Sequence, residues 1–397
     1  MSIAEKRDIK NNITKMYLFK IFSGVVFFAP VLMLFKEANG VSISEIYYLQ
    51  IIFAMSMVLF EVPTGYFADI YGRKASMVVG ATIQSVGIIA FGFAYGFFSF
   101  AVVEILMGFG IALYSGANSA LVYESLNELG RSSEYKKIWG NMQFYNVIFV
   151  GISSVVGGVI ADTLDMRYTI YASIPFYFMM VAVALSFNEP KRVKVIAKKG
   201  YGRLFFRNIK NILKDSSKLR WIVLYSGIIL ALNQSIYPIY QNYFELIELD
   251  LVYFGLVFAS FQVVSAFSSK YAHKAELYID EKSILIALPF MVGVSYLLMG
   301  SYLWAGGFLF IYLQQFVRGF RMVVIDDYIN KLVDSDHRAT ILSVESLFSR
   351  LMLSLMLFVW GLSMEFISIV QTLQYIGLLA LVIGGFIWYF IVIKRRV

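Results

Sequence analysis

Long apolar runs alternate with short polar breaks along the whole chain, and each run has the length a helix needs to cross a bilayer. About 20 mostly apolar residues, rising 1.5 Å each, span the hydrocarbon layer. The pattern predicts twelve spans, at roughly 16–35, 43–67, 75–96, 98–126, 138–161, 166–187, 219–247, 251–272, 283–300, 302–330, 339–363 and 367–392. Ser42 and Glu45 form an S-x-x-E capping pattern ahead of the second span, and Asp250 stands where it can cap the eighth. One long polar connection, 188–218, separates two sets of six. The expected architecture is an all-α polytopic membrane protein, with an N-terminal six-helix bundle at 1–187, a cytoplasmic linker at 188–218 and a C-terminal six-helix bundle at 219–397. In the linker Leu204, Phe205, Ile209, Ile212 and Leu213 recur at helical spacing among basic residues. That fits either a helix lying in the headgroup region or a solvated connection. A faint echo between MGFGIAL at Met107 and RGFRMVV at Arg318 fits a duplicated architecture.

Composition agrees with this pattern. A 397-residue chain that is 59% hydrophobic and 15% charged, with mean hydropathy +0.71, cannot hide its apolar surface in a soluble core. The absence of cysteine excludes disulfides and thiolate metal sites. The net charge of +8 is distributed by side: Lys36 and Arg167 fall opposite the termini, Lys20, Arg318, Arg321 and Arg350 fall within spans, and the remaining Lys and Arg lie with the termini. This asymmetry places both termini in the cytoplasm and assigns the basic charge to anionic lipid headgroups rather than nucleic acid. The polar start leads into an apolar run too long for a cleaved signal, so the first helix is expected to remain. The expected partners are the lipid bilayer, a small-molecule solute and protons, with no cofactor or metal. The expected form is a monomer in the plasma membrane of a bacterial or archaeal cell.

Between spans 2 and 3 the segment GYFADIYGRK, Gly65 to Lys74, reads G-x-x-x-D-x-x-G-R-K. Gly65 and Gly72 permit a tight turn with close backbone approach, Asp69 is placed to face a helix N-terminus, and Arg73 and Lys74 hold the turn on the cytoplasmic side. This motif, its position and the 6+6 layout resemble the major facilitator superfamily of secondary transporters over nearly the whole chain, nearest to the drug and small-molecule exporters. The resemblance implies that Asp69 meets the N-terminus of span 11, near residues 339–343. It also implies that Arg73 pairs with an acid at the cytoplasmic end of span 4, where Glu124 is the one acid. Such a latch would favour an outward-open state. The matching segment of the second half, SAFSSKYAHK at Ser265 to Lys274, lacks the glycines and the acid. Two further features depart from the exporter pattern: Glu104 precedes Gly108 where exporters carry an Arg, and Ser153-Ser154 replaces a Gly-Pro ahead of Gly157-Gly158.

An ionised side chain near the bilayer centre costs roughly 2.5 to 3.5 kcal/mol even on the lenient insertion scale, so each intramembrane charge needs a partner or water. At 100° per residue, Glu104, Gly108, Ser115 and Asn118 form one stripe on span 4. Gln314, Gln315, Arg318 and Arg321 form another on span 10, followed by Asp326 and Asp327. Span 11 adds Glu345 and Arg350, and span 7 places Asn233, Gln234, Tyr237, Tyr240 and Gln241 on one face. The resemblance implies that these faces converge on a central aqueous cavity. Arg318 and Arg350 either bind an anionic group of the solute or pair with Glu345, Asp326 or Asp327. Glu104 has no basic neighbour on its own span and is the candidate proton carrier.

No G-x-x-x-x-G-K-[ST], H-E-x-x-H or G-x-S-x-G is present, so a polytopic membrane enzyme is only a remote alternative. The leading reading is a secondary active transporter that moves a small organic solute by alternating access through proton-coupled efflux. The alternative is an importer or uniporter of an anionic metabolite.

Overall fold

The computed structural model describes residues 3–190, 217–275, 277–333 and 338–390, and among them every regular element is helical. In the first half these are α1 (Ile3–Ser23), α2 (Leu32–Ala38), α3 (Ile43–Tyr71), α4 (Arg73–Phe93), α5 (Gly96–Glu128), α6 (Tyr135–Thr163) and α7 (Met166–Ser186). In the second they are α8 (Ser217–Gln234), α9 (Tyr240–Leu246), α10 (Leu251–Ala275), α11 (Glu281–Ser301), α12 (Ile311–Leu332), α13 (Arg338–Ser363) and α14 (Ile369–Trp388). Among the described residues, eleven helical stretches are long and apolar enough to cross a membrane, against twelve expected, and the run at 16–35 is not one of them. Ser42 and Glu45 close a reciprocal capping box at α3, and Ser368 and Gln371 close a second at α14. Asp280 caps α11 by accepting from Ser283 N and Oγ, and these bonds hold its carboxyl below the usual carboxylate range. Most of the expected linker, residues 191–216 with its interfacial helix, lies outside the described residues.

The structure departs from the predicted pattern at the first span. The run 16–35 is not one helix: α1 ends at Ser23, a 3-10 turn holds Ala29–Val31, and α2 resumes for seven residues. The same interruption divides the span predicted at 219–247, where α8 ends at Gln234, a 3-10 turn holds Tyr237–Ile239, and α9 again runs for seven residues. Pro30 and Pro238 occupy corresponding places in the two turns. Proline removes a backbone N–H and clashes with the preceding turn, and apolar periodicity alone does not register that.

A broken helix at membrane depth must recover its lost backbone hydrogen bonds from side chains or water. In the first half, Ser153 Oγ accepts from Val26 N (3.1 Å) and reaches the Gly24 carbonyl (3.2 Å), while Ser173 Oγ accepts from Phe27 N (3.2 Å). Asn146 Nδ2 donates to the Lys20 carbonyl at 2.8 Å. In the second half, Tyr296 OH donates to the Leu232 carbonyl at 2.7 Å, joined by Ser235 Oγ at 3.0 Å. Ser153, which departs from the exporter pattern, therefore secures the first break. A Cβ on Gly157, one turn later, would overlap the Phe27 carbonyl.

The chain divides into two compact units. One comprises Met1–Glu45, Leu49–Ile196 and Asp250–Ala259, and the other Ile46–Tyr48, Ala197–Leu249 and Ser260–Val397. Each contains its own version of the echo seen in sequence. In the first, a Cβ on Gly108 of α5 would stand 2.8 Å from Ser56 Cβ of α3. In the second, a Cβ on Gly319 of α12 would overlap the Ser265 carbonyl of α10. Small residues let helices cross closely in lipid. The serines of SAFSSKYAHK strengthen this crossing, since Ser268 Oγ donates to the Phe316 carbonyl (2.6 Å) and Ser269 Oγ to the Gly319 carbonyl (2.7 Å). Substituting Gly319→Val should force α10 and α12 apart and destabilise the second unit by about 1–3 kcal/mol. A lowered thermal midpoint of the purified protein would register it, with Gly116→Ala, which meets nothing within 4 Å, as the silent control.

Candidate functional site

Structure narrows the Gly65–Lys74 segment to one residue. Gly65 lies inside α3 with nothing within 4 Å of an added Cβ, so it serves neither a turn nor a close approach, contrary to expectation. Gly72 alone separates α3 from α4, at φ +109° and ψ 159°, a conformation that excludes ordinary side chains. Arg73 donates through Nη1 to Asp69 (2.9 Å) and through Nε to Glu124 Oε1 (3.2 Å), so Asp69 is engaged by Arg73 within its own segment. Most side chains of 339–343, where the resemblance places Asp69, lie outside those described.

Glu189 was not singled out from the sequence. Its two oxygens accept from the backbone N–H of Arg73 (2.8 Å) and Lys74 (2.7 Å), satisfying first-turn donors that an α-helix leaves open. A Cβ on Gly72 would lie 2.7 Å from Glu189 Oε1, so the glycine also makes room for this carboxylate. Just upstream, buried Asn12 brackets the Asn188 backbone, accepting from its N–H (2.9 Å) and donating to its carbonyl (2.8 Å). The exit from α7 is thereby tied to the α3–α4 joint.

Glu104 differs from its expected isolation. Lys36, assigned by charge pattern to the far side of the membrane, is fully buried on α2 and donates to Glu104 Oε1 at 2.6 Å. The break in the first span turns α2 so that its lysine meets α5, a contact no pattern within span 4 could reveal. Arg167 binds beside it, donating to Asn39 Oδ1 and the Gly92 carbonyl and lying 5.2 Å from the Phe35 ring centre. The predicted span 4 stripe is divided in its surroundings: Glu104 and Asn118 are buried, with Asn118 Oδ1 unbonded, while Ser115 is exposed.

In the second unit the charges sort into different pairs. Arg321 Nη2 donates to Glu345 Oε1 (2.9 Å) and Ser226 Oγ (2.7 Å), and Ser349 Oγ donates to the same carboxylate at 2.8 Å. Asp327 pairs with Lys331 on the helix surface, and the side chain of Asp326 lies outside those described. The pairing expected for Arg318 or Arg350 with Glu345 or Asp327 is therefore made by Arg321 and Lys331. Arg318 instead donates to Gln262 Oε1 (2.7 Å) and Ser265 Oγ (3.3 Å), both neutral. Arg350 makes no hydrogen bond or ion pair among the described residues.

Around Arg318 the broken span supplies aromatic and amide groups, although not on one helical face as predicted. Gln234 ends α8, Tyr237 lies in the 3-10 turn, and Tyr240 and Gln241 begin α9. Asn233 Nδ2 donates to the Gln314 carbonyl (2.9 Å), and Tyr240 OH donates to Gln314 Oε1 (2.7 Å). Gln315 Nε2 reaches Tyr240 OH at 3.5 Å. The rings of Tyr237 and Tyr240 meet edge to face at 5.9 Å, and Tyr237 remains 43% exposed.

These features, two units with matched broken helices and ion pairs at membrane depth, coincide with a family match: the model of the Major Facilitator Superfamily aligns with residues 16–357. The chain belongs to the major facilitator superfamily. An uncharacterised MFS-type transporter of Methanocaldococcus jannaschii is 24% identical over 226 residues, which is 52% of this chain and 58% of that protein's length. The nucleoside transporter NupG superposes with a TM-score of 0.76 at 11% identity, covering 96% of this chain and 99% of its own. A bacterial homologue of the human lysosomal transporter Spinster, solved inward-facing and unoccupied, gives 0.73 at 11% identity, covering 98% and 97%. The fold is accordingly the MFS fold, and the protein is a multi-pass membrane transporter rather than an enzyme.

Within this MFS transporter the Lys36–Glu104 pair can be tested energetically. Removing one partner leaves a buried unpaired charge, so Lys36→Met or Glu104→Leu alone should cost about 3–5 kcal/mol, whereas the double substitution should recover most of the loss. A double-mutant cycle on thermal or denaturant unfolding measures this, and additive losses would refute the pairing. At the joint, Glu189→Ala should cost about 0.5–2 kcal/mol by uncapping α4, whereas Gly72→Ala should cost more because it also strains the backbone.

Proposed function

We propose that this MFS protein is a secondary active transporter of a small organic solute, working by alternating access and exporting its solute in exchange for protons across the cell membrane, with both termini cytoplasmic. The matched interruption of corresponding spans in the two units carries the reading. Discontinuous helices at equivalent positions of a repeated architecture are where secondary transporters expose backbone and polar side chains to solute and ions. Here the interruptions bring Asn233, Gln234, Tyr237, Tyr240 and Gln241 into one short stretch of the second unit.

Two intramembrane carboxylates, Glu104 and Glu345, supply sites for protons, each in a pair with one cation. Protonating either would release its lysine or arginine, so proton uptake would be coupled to rearrangement rather than to an isolated acid. Glu345 is the better placed of the two. Ser226 and Ser349 also bond its carboxylate and can hydrogen-bond the protonated form, whereas protonating Glu104 strands a fully buried lysine. Export follows the resemblance to exporters at the joint. Import or uniport of an anionic metabolite is the alternative and needs no proton carrier.

Reconstituted vesicles under an imposed pH gradient distinguish these readings. The panel should contain organic acids, lipophilic cations, sugars and nucleosides, the last because NupG is a nucleoside transporter. One pH unit supplies about 1.36 kcal/mol per proton, so a coupled solute should redistribute by up to about tenfold per unit in wild type. Glu345→Gln should abolish the coupling, and Glu104→Gln should chiefly lower stability. Solute movement that ignores the gradient in wild type would exclude proton antiport.

A further inference from the structure

Arg318 stands midway along the membrane-crossing stretch Ala305–Ile329, where a guanidinium without a counter-charge is costly. Two carboxylates on the neighbouring membrane-crossing helices of the second unit are committed elsewhere, and among the described residues no carboxylate bonds Arg318. Glu345 is taken by Arg321, Ser226 and Ser349, and Asp327 by Lys331. What holds Arg318 is neutral: Gln262 Oε1 accepts from Nη2, and Ser265 Oγ accepts from Nε. A guanidinium has five N–H donors, so both on Nη1 and the second on Nη2 are unused among the described residues.

The neighbourhood is built to fix this group. Gly319 allows α12 to cross α10 at Ser265, and that crossing sets Gln262 and Ser265 against the arginine. From the broken span, Tyr240 OH bonds Gln314 and reaches Gln315 one turn before Arg318 on α12, and Tyr237, whose ring meets that of Tyr240, is partly open. The guanidinium is oriented by two bonds and still offers a fork of donors suited to planar, bidentate recognition of carboxylate or phosphate.

We propose that Arg318 is the anion-binding residue of the solute site, that Gln262 and Ser265 are its positioning residues, and that the transported solute carries a carboxylate or phosphate group beside an apolar or aromatic body that packs on Tyr237. The proposal rests on the solute-transport reading but not on proton coupling or on the direction of movement.

The test compares matched probes on the full-length protein in detergent: benzoate against benzamide, lactate against lactamide, and phenyl phosphate against phenol. Binding is read by titration calorimetry and by ligand-induced thermal stabilisation. The charged member of at least one pair should bind saturably and stabilise wild type, and its neutral counterpart should not. Arg318→Gln should weaken that binding by more than about tenfold, as expected for a lost charged hydrogen bond. Arg318→Lys should recover it only in part, because an ammonium cannot reproduce the fork. Gln262→Leu should weaken binding less than Arg318→Gln while leaving the preference for anions intact. An unliganded melting temperature for Arg318→Gln at or above that of wild type fits relief of an uncompensated charge, whereas a large fall shows that the arginine is structural and overturns the assignment. It is equally overturned if no charged probe binds better than its neutral partner, or if Arg318→Gln binds anions as wild type does. Those failures differ from failure of the transport reading, in which no solute of any charge crosses reconstituted vesicles. A neutral solute carried equally by wild type and Arg318→Gln would sink the anion assignment and leave transport standing.

Discussion

Inside hydrocarbon, a backbone N–H or C=O without a partner costs several kcal/mol, and the architecture turns on how that constraint is met at two places. Intact helices satisfy it internally. The two broken spans do not, and they exist only because Ser153, Ser173, Asn146 and Tyr296 reach across from neighbouring helices to replace the missing bonds. Once those bonds are in place, two seven-residue helices, α2 and α9, can be redirected. One carries Lys36 to Glu104, and the other carries Tyr240 to the amides of α12.

Charge pairing follows from that geometry, and the two units use it differently. In the first, the redirected helix carries a fully buried lysine, and its pair with the largely buried Glu104 lies beside Arg167, Asn39 and a cluster of phenylalanines. Removing either charge would leave the other stranded, so this cluster behaves as an anchor for α2. In the second, the corresponding helix carries tyrosines and amides. The arginines are answered unequally: Arg321 is fully engaged by Glu345 and serines, while Arg318 is held by neutral groups. Two repeats that share one backbone plan thus hold their charges differently, one by a counter-ion and the other partly by neutral groups.

The α3–α4 joint shows the same economy at the membrane edge. Gly72 makes the turn, Arg73 gathers Asp69 and Glu124, and Glu189 closes the exposed start of α4. Because Glu189 follows directly on α7, and Asn12 fixes the backbone beside it, the joint and the departure point of the linker form one hydrogen-bonded assembly. The motif read as a tight turn is, in three dimensions, the place where α3, α4, α5 and the end of α7 are tied together.

The lipid solvent, the helical class, most of the spans and the family were legible in the residues alone, because these depend on apolar run length and a locally spaced motif, both written along one dimension. The cap at Ser42 was legible for the same reason, since its partner stands three residues on, and the pairing of Arg73 with Glu124 was legible only through the family resemblance. Tertiary structure decided the rest. Proline at Pro30 and Pro238 breaks a helix only where neighbours can satisfy the freed backbone, and those neighbours lie more than a hundred residues away for Ser153 and more than fifty for Tyr296. Which acid answers which arginine, how Glu104 meets a lysine from another span, and why Gln262 and Ser265 hold Arg318 are likewise set by packing between helices distant in the chain. A charge on a span announces that a partner is needed, and only the fold determines which one arrives.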